Sequence, residues 1–552
     1  MINGRHQPAW TAVPRGIASL LLCAGVVFCL GPANPVCGAD SRELALRHHR
    51  LELPGIPSAI VPADIDADGR KDLLVVLVYT AWDEIGTESS EGLVQMTSVI
   101  PALFERREMR VYLARPDGSY EQAGQPMALP ESVLSVEAGP RGLPAVALTD
   151  DGVAAVRITT GPSGPAVTLE PLLNDPPVLA GTGVFLSGLG VIQDLDGRGD
   201  LDLLLPAKDG MAIYPTSAGA LPAAASARLA IPGDTRGSSA TAWRRYPVAR
   251  AEDLDGDHRP DLLVISRGRR DREIHVMRGS GDGHFQPPRE VSLDCLDRSD
   301  TTGGNSELAF FGDLDGDGRA EVVTRSEVES EDDGLKEAKN PKQIYRFHRL
   351  KDDFTVVTTP YQEVNVVGYA FGGGWPMPSG SEFRDLDGDG RKDLVTVTLD
   401  FSILQAFRVL ATKKIGMGLI FHIWAQDSRG GFHEVPDLDL SEKLLLDFND
   451  LKLDRAAQFS GDFDGDGLLD FTHLGRGKTV TIHRGRPGCL YEKRADLTVE
   501  LDEEPRDLAL VRIQDLDGDG RSDLMIFRPL PAQDPPATAP VGIDLYLSGE
   551  LK

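Results

Sequence analysis

The sequence predicts an all-β protein built from about eight four-stranded antiparallel sheets, and three observations support this prediction. First, a short acidic pattern, Asp-x-Asp-x-Asp-Gly-x-x-Asp, recurs along the chain, with copies that begin at residues 64, 137, 194, 253, 313, 385, 462 and 515. Second, the spacings run from 53 residues (462 to 515) to 77 residues (385 to 462), which suits one propeller blade with insertions. Third, similar strand signals surround the copies. The expected fold is therefore a β-propeller of eight blades.

Each unit has the same order of elements around its acidic loop. An apolar stretch before the loop predicts the first strand. A continuous apolar run after it, as in residues 72–78, predicts a buried second strand. An alternating third strand then ends in a turn and an aromatic residue, as in residues 110–120 and 274–285. With a fourth strand, one unit is a four-stranded meander.

The two termini predict how the repeat closes. The last unit ends on its third strand, at residues 543–552, whereas residues 44–53 lie directly before the first strand of the first unit. We therefore expect the N-terminal segment to supply the missing fourth strand of the last blade. Closure of this kind removes exposed sheet edges, so it favours a ring over an open solenoid.

The acidic loop has the residue types that calcium prefers. Three carboxylates at alternate positions, a glycine at position six and a carboxylate at position nine place oxygen ligands around one point. Without a cation, four such carboxylates would repel one another or bind protons. A solvated acidic turn would explain one copy, but not six in register. The six predicted calcium sites consist of Asp64, Asp66, Asp68 and Asp72; Asp253, Asp255, Asp257 and Asp261; Asp313, Asp315, Asp317 and Glu321; Asp385, Asp387, Asp389 and Asp393; Asp462, Asp464, Asp466 and Asp470; and Asp515, Asp517, Asp519 and Asp523.

The copies at 137 and 194 have an arginine at position five, where the six others have Asp: Arg141 and Arg198. A permanent positive charge there opposes calcium. A guanidinium can instead bond the remaining acids, so we expect Arg198 to pair with one or more of Asp194, Asp196 and Asp202. Arg141 has a single acidic partner in its loop, Glu137. For both arginines, a solvent-facing side chain is the alternative.

The repeated Asp-x-Asp-Gly-Asp-Gly-Arg-x-Asp-Leu, at residues 385–394 and 515–524, resembles the FG-GAP/VCBS repeat, the unit of integrin-alpha-like propellers. The resemblance covers residues 44–552 and implies calcium-binding blades in which the metal loop joins strands one and two. Integrin-alpha propellers have seven blades, so the number is open between seven and eight. Members of the family range from adhesion modules to polysaccharide lyases, and the resemblance therefore implies the fold more than the function.

Composition and the N-terminus indicate where the protein works. The chain has 552 residues, with 57 Lys+Arg against 85 Asp+Glu, a net charge of −28 that argues against nucleic acid as a partner. Residues 1–39 resemble a secretory signal peptide, because an apolar run at 16–30 follows Arg5 and Arg15 and small residues end at Ala39. We expect residues 40–552 to form one propeller that is secreted, extracellular or periplasmic, without a membrane span. Of five cysteines, Cys295 and Cys489 lie outside that signal, and we expect free or buried thiols.

Long insertions mark one end of the predicted ring. They fall between second and third strands, near residues 81–108, 326–341, 401–416 and 529–540, and so lie opposite the acidic loops. Residues 98–107 and 402–413 are expected to form short helices. Aromatic and arginine side chains are enriched at interfaces, although a tryptophan is also a common core residue. The candidate ligand face consists of Trp82, Trp243, Arg244, Arg245, Tyr246 and Trp375.

Two functions of different classes fit the sequence. The first is a secreted, calcium-stabilised propeller that binds a protein or a glycan, since many metal loops occur without a nucleophile elbow, phosphate loop or zinc-protease motif. The alternative is an extracellular polysaccharide lyase that resembles rhamnogalacturonan lyases, with calcium bridging an anionic sugar to an acidic protein. We expect the binding module, and an assay for unsaturated uronide products separates the two.

Overall fold

The computed structural model describes one unit, Glu43–Lys552, within which the described residues are 44–79, 98–99, 106–140, 143–161, 164–183, 185–186, 189–207, 210–217, 220–230, 234–236, 243–245, 248–266, 273–293, 306–328, 340–371, 382–400, 414–447, 452–453, 456–474, 478–501, 511–527 and 541–550. The described part of the chain is all-β. Over these ranges, no helix is long and apolar enough to cross a membrane.

The strands of the first half are β1 (Leu44–Leu53), β2 (Ile56–Ala63), β3 (Asp72–Tyr79), β4 (Ser98–Val99), β5 (Arg106–Ala114), β6 (Tyr120–Ala128), β7 (Val133–Glu137), β8 (Val146–Thr149), β9 (Gly152–Gly161), β10 (Gly164–Leu173), β11 (Phe185–Leu186), β12 (Ile192–Gln193), β13 (Asp202–Ala207), β14 (Gly210–Tyr214), β15 (Ala227–Leu229), β16 (Asp234–Arg236), β17 (Trp243–Arg245), β18 (Val248–Glu252), β19 (Asp261–Ser266), β20 (Glu273–Met277) and β21 (Arg289–Val291). Those of the second half are β22 (Ser306–Asp313), β23 (Ala320–Glu327), β24 (Lys342–Arg349), β25 (Gln362–Val367), β26 (Tyr369–Ala370), β27 (Phe383–Arg384), β28 (Asp393–Asp400), β29 (Lys414–Trp424), β30 (Leu438–Asp447), β31 (Lys452–Leu453), β32 (Ala456–Gly461), β33 (Asp470–Leu474), β34 (Thr479–His483), β35 (Leu497–Glu500), β36 (Val511–Gln514), β37 (Asp523–Phe527) and β38 (Val541–Glu550).

These strands form eight successive meanders, which we number as sheets 1 to 8. Sheet 1 is β2-β3-β5-β6, sheet 2 is β7 to β10, sheet 3 is β12 to β15, sheet 4 is β18 to β21, sheet 5 is β22 to β25, sheet 7 is β32 to β35, and sheet 8 is β36-β37-β38-β1. In sheet 6 the first strand is split into β26 and β27, which both pair with β28, and β29 and β30 follow. One parallel pair between β6 and β10 joins sheets 1 and 2. The four-stranded units predicted from the sequence are therefore present.

Every acidic loop lies between the first and second strands of its sheet, as predicted. The second strand that follows is buried, because the neighbouring sheets cover both of its faces. In β3, for example, Leu73 to Leu77 are 0% exposed although they are consecutive. The third strands alternate more, and the fourth strands lie at the outer, more exposed position. This gradient of burial explains the continuous apolar run after each loop.

The N-terminal strand closes the last sheet, as predicted. Strand β1 pairs antiparallel with β38 in an unbroken register from Leu44 opposite Glu550 to Leu53 opposite Val541. Leu44, Leu51 and Leu53 point into the core at 7%, 8% and 0% exposure. The two ends of the described chain are thus held in one sheet.

The hydrophobic core is divided among the interfaces between sheets. Among the described residues it forms eight clusters, and each contains side chains from two successive sheets. One of them combines Leu53 and Leu545 of sheet 8 with Leu73 and Val75 of sheet 1. Apolar packing therefore links the sheets in chain order and also links the last sheet to the first.

The predicted insertions need two corrections. They do lie between second and third strands, but β5 already begins at Arg106 and β29 at Lys414, so the third strands extend into the predicted insertions. The predicted helix over 98–107 is wrong at both of its ends, because Ser98–Val99 pairs with β11 and Arg106 pairs with β3. Residues 401–413 and 529–540 lie outside the described residues, and so does the predicted signal peptide.

Candidate metal centres

The acidic loops share a backbone that requires left-handed residues at two positions. Position six has a φ of +82° to +89° at Gly69, Gly318, Gly390, Gly467 and Gly520. The replacement of glycine at this position, His258, adopts a φ of 60°. Position four is left-handed as well, usually at glycine, as in Gly388 with a φ of 69°. Glycine is therefore common at positions four and six, because a left-handed backbone disfavours residues that carry a side chain.

We name each acid by its position in the loop, so the ninth acid is the one at position nine. In the loops other than the one at 137, the first acid organises the turn through backbone hydrogen bonds. In the 462–470 loop, Asp462 Oδ1 accepts from Gly465 N at 2.7 Å and Oδ2 accepts from Gly467 N at 2.9 Å. Acids at position five accept from the amide two residues on, as Asp389 does from Arg391 N at 2.9 Å. These bonds orient the carboxylates of one loop toward a common centre.

The ninth acid fastens the loop to the end of the third strand or to the residues just after it. In the 515–523 loop, Asp523 Oδ2 accepts from Leu516 N and Oδ1 accepts from Ser548 N, both at 2.8 Å. The same two bonds occur at Asp72, Asp202, Asp261, Asp393 and Asp470, whose second amide partners are those of Ala114, Thr216, Gly279, Gln426 and Gly485. We call this pair of bonds the latch. It explains why the ninth position stays acidic in the 194–202 loop, which has lost another acid.

Burial raises the pKa of the ninth acids far above the usual value of a carboxyl group. The pKa is raised to about 6 for Asp72, Asp261 and Asp393, to about 7 for Asp470 and Asp523, and to about 8 for Glu321. Desolvation is the largest cause in each case, and neighbouring acids add to it, whereas latch amides lower the pKa again. A nearby cation would therefore stabilise the charged form of each ninth acid.

This pattern predicts an unusual pH dependence of the metal-free protein. The folded pKa values lie above the unfolded value of about 4, so between about pH 4 and the folded values the folded state binds more protons than the unfolded state. Stability in the presence of a chelator should therefore fall as the pH rises from 5 to 8. Thermal unfolding at both pH values checks this, and a higher midpoint at pH 8 in chelator would contradict it.

The carboxylates come close enough together to hold a hard cation. In four loops, one oxygen each from the first, third and ninth acids lie within 4.8 Å of one another: Asp64, Asp66 and Asp72; Asp194, Asp196 and Asp202; Asp253, Asp255 and Asp261; and Asp313, Asp315 and Glu321. In two others, buried oxygens of the third acid, Asp387 Oδ1 and Asp464 Oδ1, accept no hydrogen bond. Buried carboxylate oxygens without partners are costly unless a cation binds them. The donor set fits the all-oxygen coordination of calcium.

One loop also includes a sulfur atom. The thiol of Cys489 lies with carboxylate oxygens of Asp387 and Asp393 in the 385–393 loop, although Cys489 belongs to the following sheet. It is 1% exposed and free, and burial raises the pKa of its thiol well above the usual range. The expectation of a free, buried thiol therefore holds for Cys489, whereas Cys295 lies outside the described residues.

The two loops that lost acids are held in other ways. Arg198 pairs with one of its three expected partners, Asp196, at 3.1 Å, but its side chain remains 55% exposed. Arg141 lies outside the described residues. Its predicted partner Glu137 instead reaches the next sheet, where Leu189 N and Val191 N donate to its two oxygens at 2.7 and 3.0 Å. A carboxylate at this position thus connects two sheets.

Successive acidic loops are hydrogen-bonded to one another. The amide at position eight donates to a carbonyl in the preceding loop: Ala320 N to Leu254 O, Lys392 N to Leu314 O, Leu469 N to Leu386 O, Ser522 N to Asp462 O, and Lys71 N to Asp517 O. The last of these connects the first loop of the chain to its final loop, where Lys71 Nζ also bonds Asp515 Oδ2 at 2.9 Å. The loops therefore lie side by side at one end of the sheets, which we call the acidic end.

Three of the six predicted ligand-face residues lie among the described residues. Trp243, Arg244 and Arg245 form β17, which pairs only with β16 among the described strands. This hairpin lies in the connection between sheets 3 and 4, at the end opposite the acidic loops. Trp82, Tyr246 and Trp375 lie outside the described residues.

Sequence reasoning missed a hydrogen-bonded chain on three strands of sheet 6. His422 Nε2 lies 2.9 Å from Thr398 Oγ1, and His422 Nδ1 lies 2.6 Å from Asp439 Oδ1. This is the order of a nucleophile, a base and an orienting acid. Thr398 is only 8% exposed and packs between sheets, so its hydroxyl is poorly placed for a substrate. Strand register, with His422 opposite Asp439, was the information needed to find it.

Several solved structures are similar to this chain at low sequence identity. A lectin from Agrocybe aegerita that recognises non-reducing terminal N-acetylglucosamine is 14% identical, covers 84% of this chain and 82% of its own, and has a TM-score of 0.33. A protein from Lactobacillus plantarum (10% identical, 79% and 98% covered, TM-score 0.29) and a 6-phosphogluconolactonase-like protein from Bacteroides uniformis (12%, 79% and 98%, TM-score 0.27) are also similar.

No curated protein matches the chain. A family model does, over two successive acidic loops and the strands around them. The model describes an FG-GAP-like repeat, and it matches residues 253–324, which contain the 253–261 and 313–321 loops.

Proposed function

We propose that the protein is a secreted, closed eight-bladed β-propeller that is stabilised by calcium and binds a protein or a glycan. Its sheets 1 to 8 are the blades. The acidic end holds the metal, and the opposite end holds the partner. The binding role rests on one observation, the difference in the length of the strand connections between these two ends.

Closure is supported by packing and by the termini. An open row of eight sheets has seven interfaces, whereas the core has eight clusters, one of which joins sheet 8 to sheet 1. The pairing of β1 with β38 and the bond between Lys71 and Asp515 cross the same boundary. These three contacts are expected of a ring.

Calcium is supported by donor chemistry. The loops supply carboxylate oxygens at three or four positions, and some of these oxygens are buried without a hydrogen bond. Extracellular calcium modules bind with dissociation constants of about 10⁻⁴ to 10⁻³ M. Such sites fill outside cells, which agrees with the predicted signal peptide.

Partner binding is supported by the connections between strands. At the acidic end the connections between third and fourth strands of the described sheets have at most 13 residues, such as residues 115–119 between β5 and β6 and residues 425–437 between β29 and β30. At the opposite end some connections are longer, such as residues 80–105 between β3 and β5 and residues 230–247 between β15 and β18, which span 26 and 18 residues. Long surface connections on a rigid scaffold are the usual carriers of binding residues. Trp82 falls in the connection between β3 and β5, and Trp375 falls in the segment between β26 and β27 of sheet 6.

Binding to a panel of glycans and extracellular proteins tests this proposal. For the partner that is found, Trp82→Ala or Trp375→Ala should weaken binding at least about tenfold, because tryptophans at the centre of an interface commonly contribute more than about 1.4 kcal/mol. The matched control is Val435→Ala at the acidic end, where Val435 is 68% exposed. It should leave affinity unchanged.

Two outcomes would contradict the proposal. One is loss of binding in the Val435 variant with full binding in both tryptophan variants, which would move the partner to the acidic end. The other is release of unsaturated uronides from pectic polysaccharide, detected by ultraviolet absorbance, which would make the protein a lyase.

A further inference from the structure

Three of the six intact acidic loops meet an arginine from the third strand of their own sheet. Arg278, Arg349 and Arg484 occupy equivalent places, where β20, β24 and β34 end. Each contacts the third acid of the adjacent loop: Arg278 Nε lies 2.7 Å from Asp255, Arg349 3.4 Å from Asp315, and Arg484 Nε 3.3 Å from Asp464. The loops at 64, 385 and 515 have Leu113, Ala425 and Leu547 at this place.

Arg349 differs from the other two in the number of acids it bridges. Its guanidinium lies 3.4 Å from Asp315 Oδ2, 3.7 Å from Asp317 Oδ2 and 3.4 Å from Glu321 Oε1. These are the third, fifth and ninth acids of a single loop. A planar guanidinium with five donors suits such bridging. Its Cζ also lies 4.8 Å from the centre of the Tyr361 ring, which supports its position by a cation–π contact.

The loop at 313–321 has changed at the position that meets this arginine. Its ninth acid is Glu321, whereas the five other intact loops have Asp. Glu321 Oε2 keeps one latch bond, from Leu314 N at 3.0 Å. The other oxygen bonds Arg349 Nη1 at 3.4 Å, where an Asp would accept from the backbone of the third strand. Glu321 is 1% exposed and the Arg349 side chain is 45% exposed, so the pair is shielded from solvent on the side of the glutamate.

We propose that Arg349 is the built-in cation of the 313–321 loop and that this loop does not take up calcium. The inference rests on the proposed function, because it concerns which of the six loops are metal sites. For calcium to use the third, fifth and ninth acids, it would have to displace a guanidinium that already bridges all three. Within the loops that the structure describes, Arg278 and Arg484 each form an ion pair with the third acid, so the remaining acids stay available to the metal. The protein then holds five calcium ions.

Calcium content after equilibrium dialysis, measured by elemental analysis at about 1 mM free calcium, tests the proposal. The wild-type protein should hold five ions per chain, and Arg349→Gln should hold one more. The matched control is Arg278→Gln, which removes the equivalent arginine from the preceding sheet and should leave the number unchanged. Six ions in the wild-type protein, or no gain in a folded Arg349→Gln variant, would overturn the proposal.

A second pair of variants keeps Arg349 in place. Asp315→Asn alters the third acid of the arginine-filled loop and should leave the calcium number at that of the wild type, whereas Asp387→Asn in the 385–393 loop should lower it by one. Loss of one ion from Asp315→Asn would overturn the inference and leave the proposed function intact. Complete absence of calcium from the wild-type protein would overturn both.

Discussion

Deleting residues 44–53 is expected to remove most of the stability of the protein. This deletion removes β1, whose residues Leu44, Leu51 and Leu53 are buried between the last sheet and its neighbours. Three buried leucines contribute roughly 5 to 9 kcal/mol, a large part of the 5 to 15 kcal/mol that stabilises a typical native protein. The deletion also leaves β38 as an open edge, which invites aggregation. Urea unfolding and size-exclusion chromatography should show both effects.

Two point variants test whether the buried side chains of β1, and not only the presence of the strand, stabilise the protein. Leu53→Ala should cost about 2 to 5 kcal/mol, because Leu53 is 0% exposed where sheets 8 and 1 meet. Arg50→Ala is the control on the same strand, with a side chain that is 45% exposed, and should change stability by less than about 0.5 kcal/mol. If the deleted protein unfolded at the same urea concentration as the full chain, closure through β1 would be wrong.

Removing calcium is expected to have the second largest effect. At a dissociation constant of about 10⁻⁴ to 10⁻³ M and millimolar calcium, each site adds roughly 0.4 to 1.4 kcal/mol. Five sites then add about 2 to 7 kcal/mol. Thermal unfolding should shift down in a chelator, and the transition should remain single because neighbouring loops are hydrogen-bonded to one another.

A variant that lacks one calcium site measures how much a single site contributes to the shift in thermal unfolding. Asp387→Asn keeps the shape of the side chain but removes the charge from a buried oxygen without a hydrogen bond. This variant should lose the stabilisation that one calcium ion provides. Calcium should still stabilise it through the other loops. Asp117→Asn, in an exposed turn between β5 and β6, should leave the calcium response unchanged. Equal unfolding temperatures with calcium and with chelator would contradict the metal sites altogether.

The repeat could be predicted from the sequence because its signal is local. Position, spacing and residue type place each acidic loop between the first two strands of its sheet, and the structure agrees for every copy. The pairing of residues 44–53 with the last strand was predictable too, because the final repeat stopped one strand short. Both predictions depend only on comparing units of the same chain.

The remaining features depend on contacts that spacing does not reveal. Arg349 meets Glu321 across 28 residues, and Lys71 meets Asp515 across 444. The chain from Thr398 to His422 to Asp439 needs the register of three strands. The wrong helix over 98–107 has the same cause, because pairing with distant β11 outweighs a weak local signal at Ser98–Val99.

A crystal structure at about 1 mM calcium, with anomalous difference maps collected at a wavelength where calcium scatters, tests the central claim most directly. It should contain eight blades in a closed ring, with calcium peaks in the loops at 64, 253, 385, 462 and 515 and none in the loops at 137, 194 and 313. A ring of seven blades, an open array, or acidic loops without anomalous peaks would contradict the account.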